Sequence, residues 1–223
     1  MSCVGLRINP RVNTNKSLIK SFENLAVANV GDCMNRLAAI DSNIRPFNKM
    51  KLLGSAFTVR VPEGDNLMVH KAMDLAKPGD IIVIDAGGST SRAILGELML
   101  SYCKVKGISG VLLDGCVRDV EAIAELDIAV YAKGVSPNGP YKNGPGEINV
   151  PVVVGGKVVN PGDIIIGDAD GVIIINPEDA EILIEETKAI NNKEDKIMDE
   201  ILNKGTYKRQ WVDEKLKELG YEI

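Results

Sequence analysis

Two apolar runs, separated by a glycine-rich loop and a helical pattern, constrain the fold of this chain more than any other stretch. Residues 81–85 read Ile-Ile-Val-Ile-Asp and residues 110–113 read Gly-Val-Leu-Leu, and both are typical of strands buried on two faces. Strand, loop, helix and strand in this order place both loops at the carboxyl ends of neighbouring strands. Open α/β sheets bind their ligands there, so the sequence predicts an α/β protein with a site at this edge.

The segment between the two strands combines a Gly/Ser-rich loop over residues 86–95 with a helical pattern over residues 97–106, which Gly107 ends. The sequence allows two starting positions for this helix. It begins at Gly96, which leaves free backbone donors in its first turn, or it begins earlier, at residues 90–91.

The other elements follow from hydrophobic spacing and turn residues. The further predicted helices cover residues 14–26, 66–77, 118–126 and 177–204, and the further strands cover residues 57–61, 129–132, 149–154, 157–160 and 172–175. Residues 30–32 are expected to break the first helix, Gly155-Gly156 to form a hairpin turn, and Gly205 to end the last helix. The Gly/Pro/Asn-rich stretch 134–149 is predicted to be a functional loop or a packing arm.

Composition excludes several classes of partner. The net charge is −5 without a basic block, so nucleic acid is not an expected partner. No apolar run reaches membrane-spanning length and the N-terminal residues lack the apolar region of a signal peptide, so we expect a cytoplasmic protein without membrane contact. The four cysteines show no metal-binding spacing and are predicted to be free thiols: Cys3, Cys33, Cys103 and Cys116.

Histidine content constrains any metal site. His70 is the only histidine, which excludes a site built on several imidazoles. A metal here must be held by oxygen atoms, and this favours Mg²⁺, Mn²⁺ or Ca²⁺ over Zn²⁺.

The residues with candidate chemistry follow the two buried strands. If the helix begins at Gly96, the backbone N–H groups of Leu98 and Met99 form a carboxylate or phosphate site. Arg118 offers a planar, permanently charged fork for a carboxylate or a developing enolate, and Asp119 beside it can bind a metal. Glu97 would repel an anion directly, so it fits this site if a cation or a held water lies between them.

Each of these features also has a purely structural explanation, because glycine-rich loops and Arg-Asp pairs at helix starts are common. Asp85 and Asp114 are interpreted as turn caps, and His70 as a structural imidazole. Asp168 and Asp170 resemble part of a Ca²⁺ loop, but turn chemistry explains them better. Cys116 has no histidine partner and is not predicted to be a nucleophile. Only the joint placement of Glu97, Arg118 and Asp119 favours a site.

Short motifs spread over roughly residues 25 to 200 belong to one pattern. They are Gly96-Glu97-Leu98-Met99, the run from Gly110 to Asp119, Asn66 with His70-Lys71-Ala72, Pro78-Gly79-Asp80, Gly144-Pro145-Gly146 with Asn149-Val150-Pro151-Val152, and Gly162-Asp163 with Asp168-Ala169-Asp170-Gly171-Val172. Together they resemble the RraA-like family, which includes class II 4-hydroxy-4-methyl-2-oxoglutarate / 4-carboxy-4-hydroxy-2-oxoadipate aldolases and the regulator of ribonuclease activity A.

This resemblance implies a three-layer β/β/α swivelling-domain fold with a long C-terminal helix. It implies one domain over residues 1–205, and we interpret residues 206–223 as an amphipathic tail. It also implies homotrimers or hexamers with sites between subunits, and a Mg²⁺- or Mn²⁺-dependent cleavage of 4-hydroxy-2-oxo acids that releases pyruvate, with oxaloacetate decarboxylation as a companion reaction.

Carried over by position, the resemblance assigns the pyruvyl oxygens to Arg118, the metal to Asp119 and the substrate carboxylate to the backbone of residues 96–99. Glu194 matches an acid that the aldolases lend to the metal site of the neighbouring subunit. Glu97, the candidate acid or base, stands where the aldolases have an aspartate, so its carboxylate reaches one methylene further. The alternative function is a non-catalytic protein that binds and regulates a ribonuclease through its acidic surface.

Overall fold

The computed structural model describes residues 4–222, and the helices and strands within that range follow the α/β order that the sequence predicts. The helices are α1 (Lys16–Lys20), α2 (Val27–Cys33), α3 (Leu67–Leu75), α4 (Glu97–Val105), α5 (Val120–Ala124), α6 (Ala180–Lys204) and α7 (Gln210–Glu218). The strands are β1 (Arg45–Pro46), β2 (Leu52–Arg60), β3 (Asp80–Asp85), β4 (Ala93–Leu95), β5 (Gly110–Val117), β6 (Ala129–Val135), β7 (Glu147–Ile148), β8 (Val152–Val154), β9 (Lys157–Val159), β10 (Ile164–Asp168) and β11 (Gly171–Ile175).

The main sheet has the strand order β1-β6-β5-β3-β2-β10-β11, with β4 beside β5 and β7 beside β2. Its centre is parallel, because β2 pairs with β3, β3 with β5 and β5 with β6 in the same direction. The predicted pairing of the two apolar runs is confirmed, with Ile82 opposite Val111. The loops after β3 and β5 therefore leave the same edge of the sheet.

Both faces of the central sheet are covered, which explains why β3 and β5 are apolar throughout. Helices α3, α4 and α5 pack on one face through Val69, Leu100 and Ile123. The antiparallel hairpin β8–β9 covers the other face through Val152 and Val159. These layers are the β/β/α arrangement that the resemblance to the RraA-like family implies.

The first predicted helix is shorter in the structure, where α1 covers only residues 16–20 of the predicted range 14–26, and a second helix, α2, follows it. Asn15 caps α1 by accepting a hydrogen bond from Ser17 N–H at 3.0 Å, and the chain ends that helix at Lys20. The predicted break at residues 30–32 is wrong, since these residues lie inside α2. Val30 is fully buried, and a Cβ on Gly31 would come within 3.0 Å of Ile173, so the glycine lets α2 approach β11.

The long C-terminal helix begins three residues after Pro177 and ends at Gly205, which adopts the left-handed conformation (φ 62°) expected of a C-cap glycine. Its buried residues lie within the first eight positions: Ala180, Leu183, Ile184 and Thr187. The second half of α6 and the whole of α7 bury no side chain against the described part of the chain.

Three smaller expectations also have outcomes. The start of α4 is decided in favour of Gly96, which is its N-cap residue. Cys33, Cys103 and Cys116 are free thiols, and Cys3 lies outside the described residues. Among residues 4–222, no helix is both long enough and apolar enough to span a membrane.

Candidate functional site

Strand β4 brings the start of α4 next to the end of β5. It lies parallel to β5, with Ala93 opposite Cys116 and Leu95 opposite Val117, and Arg118 N–H donates to Leu95 O at 3.1 Å. The sequence predicts only a loop over residues 86–95. This short strand is the element that places Gly96, the next residue, against the Arg118-Asp119 pair.

The contact between Gly96 and Asp119 is close enough to require glycine. A Cβ on Gly96 would collide with the Asp119 carboxylate and lie 2.9 Å from Arg118 Cγ. The Asp119 carboxylate accepts a hydrogen bond from Glu97 N–H at 3.1 Å, and Arg118 Nε lies 3.6 Å from the same oxygen. Asp119 has φ 61° and ψ 40°, a left-handed conformation that aspartate tolerates better than most residues.

A cleft of about 190 Å³ opens beside this contact. Its lining includes most of the residues with predicted roles, namely Gly96, Leu98, Met99, Arg118 and Asp119. The side chains of Arg118 and Asp119 are 46% and 42% exposed, so both remain available to a ligand. The structure thus brings together an arginine fork, a carboxylate and the donor end of a helix.

Two predicted site residues lie outside this lining. Glu97 is the first residue of α4, but its side chain is exposed to solvent and does not line the cleft. Glu194 lies on α6 and accepts a hydrogen bond from Asn29 of α2 at 2.7 Å. Its predicted role concerns a neighbouring subunit, so the roles of both glutamates stay predictions.

Three polar residues of the lining had no assigned binding or catalytic role in the sequence. Asn66 is the N-cap residue of α3 and His70 lies one helical turn further on, in a helix that follows β2 at the same edge of the sheet. Lys142 comes from the loop after β6. The spacing of Asn66 and His70 in a predicted helix was a usable signal for a shared face. No sequence pattern identified Lys142, because an irregular loop has no period from which to read its direction.

The interpretation of His70 as a structural imidazole is revised, since this side chain lines the cleft. Burial is the main cause that lowers the pKa of His70, and the positive charge of Lys142 lowers it further. Asp74 acts in the opposite direction. The imidazole is therefore held toward its neutral form, in which one ring nitrogen donates and the other accepts a hydrogen bond.

The interpretation of Asp85 and Asp114 as turn caps agrees with their contacts. Asp85 accepts hydrogen bonds from Gly87 N–H and Val153 N–H, each at 3.2 Å. Asp114 accepts one from Gly155 N–H at 2.9 Å and pairs with Lys133 at 3.5 Å. Both carboxylates thereby hold the β8–β9 hairpin against the sheet.

The lining of the cleft offers one carboxylate to a hard divalent cation. This is the half-exposed side chain of Asp119, and the His70 imidazole, whose pKa is lowered, lies in the same lining. Within residues 4–222, no group of three or more His, Cys, Asp or Glu side chains is arranged to share a metal ion. Mg²⁺ accepts such a site, because it retains several waters and binds through one or two carboxylates plus ligand oxygens.

The layers define an α/β protein of the swivelling-domain type, with a cleft at the carboxyl edge of its parallel strands. A family model described as Aldolase/RraA matches residues 27–174. The chain belongs to the RraA-like family.

Individual relatives agree with this assignment. A Halalkalibacterium halodurans protein provisionally named 4-hydroxy-4-methyl-2-oxoglutarate aldolase is 40% identical over 171 residues, which cover 76% of this chain and 81% of the relative. The structure of the RNA-processing inhibitor RraA from Thermus thermophilus is 30% identical, with a TM-score of 0.63 over 67% of this chain and 92% of its own. An uncharacterised Pseudomonas syringae protein is 21% identical and shares the fold, with a TM-score of 0.78 over 89% of this chain and 93% of its own. The predicted fold class is confirmed.

The single histidine makes the electrostatics of the cleft directly measurable. We expect its NMR titration midpoint to lie below the ordinary value of 6.5. Replacing Lys142 with methionine should raise the midpoint, because it removes a nearby positive charge, whereas Asp74→Asn should lower it. The pKa of His70 is lower in the folded protein than the ordinary 6.5. The contribution of His70 to the free energy of unfolding is therefore fully present above pH 6.5 and is lost as the pH falls through the folded pKa. A midpoint that does not respond to Lys142→Met would place that ammonium group away from the imidazole.

Proposed function

We propose that this chain is a divalent-metal-dependent lyase that cleaves 4-hydroxy-2-oxo acids, such as 4-hydroxy-4-methyl-2-oxoglutarate, and releases pyruvate. Oxaloacetate decarboxylation is proposed as a companion activity. The observation that carries the proposal is the convergence of Arg118, Asp119 and the first turn of α4 on one cleft. The aldolase names of relatives near 40% identity support a lyase role.

Substrate binding follows from the charges of the cleft. The Arg118 fork and the first-turn N–H groups of Leu98 and Met99 would bind the carboxylate and the oxo group of the pyruvyl half. Gly96 leaves the backbone open to this approach, because no side chain covers the helix start. Lys142 stands at another wall and would pair with the distal carboxylate of a diacid.

Asp119 would hold Mg²⁺ or Mn²⁺, and its hydrogen bond from Glu97 N–H fixes the direction of the carboxylate. The bound ion would supply Lewis-acid polarisation of the 2-oxo group. Arg118 acts alongside it, since a guanidinium near the 2-oxo oxygen stabilises the negative charge that develops there.

The cleavage itself needs one proton removed and one delivered. A base takes the proton of the 4-hydroxyl, the C3–C4 bond breaks, and its electron pair forms the enolate of pyruvate while the second product leaves as an oxo acid. Protonation at C3 then gives pyruvate. We assign these transfers to Glu97 or a held water, and the exposed Glu97 side chain would have to turn toward the cleft.

We also propose that the site is completed in a cytoplasmic homotrimer or hexamer. Helix α6 has 25 residues and a length of about 37 Å at ~1.5 Å per residue, and its second half contains no fully buried residue within the described chain. Glu194 lies in that half. In an assembly this segment would bring Glu194 to the metal site of a neighbouring subunit, where it would act through water.

A non-catalytic regulator of a ribonuclease is the alternative, and the 30% identical Thermus relative described as an RNA-processing inhibitor favours it. Such a protein needs an acidic surface but no arginine fork, carboxylate and helix start in one cleft. The net charge of −5 is compatible with both functions, and the convergence of the cleft residues supports the lyase.

Pyruvate release from 4-hydroxy-4-methyl-2-oxoglutarate and from oxaloacetate, with Mg²⁺, with Mn²⁺ and with EDTA, tests the proposed function. Asp119→Ala should reduce metal-dependent turnover at least about 100-fold with the fold intact, and Arg118→Lys should lose about as much because lysine lacks the planar fork. The matched control is Asp127→Ala, which removes a carboxylate that is 77% exposed at the opposite edge of the sheet. Full activity of Asp119→Ala, or no pyruvate from the wild-type protein under any condition, would contradict the proposal.

The shared site is tested by mixing two variants of reduced activity. Glu194→Ala should lower metal affinity or rate while sedimentation still shows the oligomer. After subunit exchange with Arg118→Ala, a fraction of the activity should return, because mixed interfaces pair an intact Glu194 with an intact Arg118. Proven exchange without any recovery, or a monomer at micromolar concentration, would remove Glu194 from the site.

A further inference from the structure

One wall of the cleft is a segment with almost no apolar anchoring. Residues 137–145 are all exposed or half-exposed, yet this segment supplies Pro140 and Lys142 to the lining. A segment without buried side chains is held in one place only if polar contacts fix it. Its position therefore depends on identifiable hydrogen bonds.

The contacts converge on Asp65, whose side chain is 4% exposed. One carboxylate oxygen accepts hydrogen bonds from Asn143 N–H at 2.6 Å and Gly144 N–H at 3.0 Å. The other accepts from Leu67 N–H, in the first turn of α3, at 2.9 Å. A single carboxylate thus joins two walls of the cleft.

The neighbouring contacts show which part of the segment Asp65 controls. Asn66 N–H donates to Tyr141 O at 3.0 Å, so backbone pairing supports the middle of the segment. At its other end, Arg92 donates to Gly139 O at 2.8 Å and stacks 4.1 Å from the Tyr141 ring. Asp65 is the side chain that secures the residues immediately after Lys142.

We propose that Asp65 is a positioning residue that holds Lys142 at a fixed separation from the helix α3 wall, and thereby sets how strongly the cleft binds the distal carboxylate of a diacid substrate. The proposal rests on the proposed function, which places an oxo acid in this cleft. Asp65 touches no ligand itself. It acts through the backbone on both sides of the cleft, one side carrying His70 and the other carrying Lys142.

Asp65→Asn is the informative variant because it preserves shape and changes only the hydrogen bonding. An asparagine can accept on its oxygen, but its NH₂ group would face N–H donors on the other side, and two donors do not bond. The variant therefore keeps one wall attached and releases the other. The matched control is Asp168→Asn, since Asp168 also accepts from two backbone groups, Asp170 N–H at 3.0 Å and Val27 N–H at 3.3 Å, away from the cleft.

The kinetic test separates the two halves of the substrate. The KM for 4-hydroxy-4-methyl-2-oxoglutarate reports both halves, whereas the KM for 4-hydroxy-2-oxopentanoate, which lacks the distal carboxylate, reports the pyruvyl half alone. Asp65→Asn should raise the first KM about tenfold, the loss expected for one misplaced charge-assisted contact, with kcat and the second KM nearly unchanged. Asp168→Asn should change neither constant. An unchanged KM, or a parallel rise in both constants, would overturn the proposal.

Amide hydrogen exchange supplies a readout that needs no turnover. Asp65→Asn should accelerate exchange at the wall that loses its acceptor, either residues 142–146 or the first turn of α3, and Asp168→Asn should accelerate neither. Unchanged exchange at both walls would show that Asp65 does not join them and would overturn the proposal. If the wild-type protein released no pyruvate, the proposed function would fail on its own, and the exchange comparison would still decide whether Asp65 holds this wall.

Discussion

The hydrogen bond from Glu97 N–H to the Asp119 carboxylate is the contact on which the rest of the site depends. It joins the beginning of α4 to the residue before α5, and these helices follow two different strands. The contact exists only because residue 96 is glycine, since any Cβ there would collide with the carboxylate. The same bond turns Asp119 toward the cleft and leaves Arg118 beside it, so a carboxylate and a guanidinium share one opening.

Carboxylates bound to backbone N–H groups hold together the edge of the sheet at which the cleft lies. Asp85 and Asp114 hold the β8–β9 hairpin, Asp65 joins α3 to the loop after β6, and Asp119 joins α4 to α5. Irregular segments cannot rely on a strand ladder to satisfy their donors, and a buried carboxylate can accept several. The central strands supply a rigid platform, and these bonds arrange the loops that carry the chemistry.

Local sequence patterns were sufficient to predict the central strands and the β8–β9 hairpin turn. Continuous apolar runs identify β3 and β5, and Gly155-Gly156, with φ values of 55° and 76°, forms the predicted hairpin turn. Tertiary contacts decided what the sequence missed. The predicted break at Gly31 fails because the glycine serves packing against Ile173, and β4 has only three residues, too few for a recognisable period.

The same distinction holds for the candidate site. The sequence predicted that Gly96, Arg118 and Asp119 meet, because these residues follow the ends of neighbouring strands. Lys142 was not predictable, because its loop is positioned by Asp65, more than seventy residues earlier in the chain. His70 was placed in a helix correctly, but only the fold shows that its turn of α3 faces the cleft.

The most direct test of this account is a crystal structure of the protein with Mn²⁺ and pyruvate, recorded with anomalous diffraction data. The account predicts a manganese peak at coordination distance, about 2 Å, from the Asp119 carboxylate, with pyruvate between the metal, Arg118 and the first turn of α4. A manganese ion bound elsewhere, or pyruvate bound in this cleft without contact to Arg118, would contradict it.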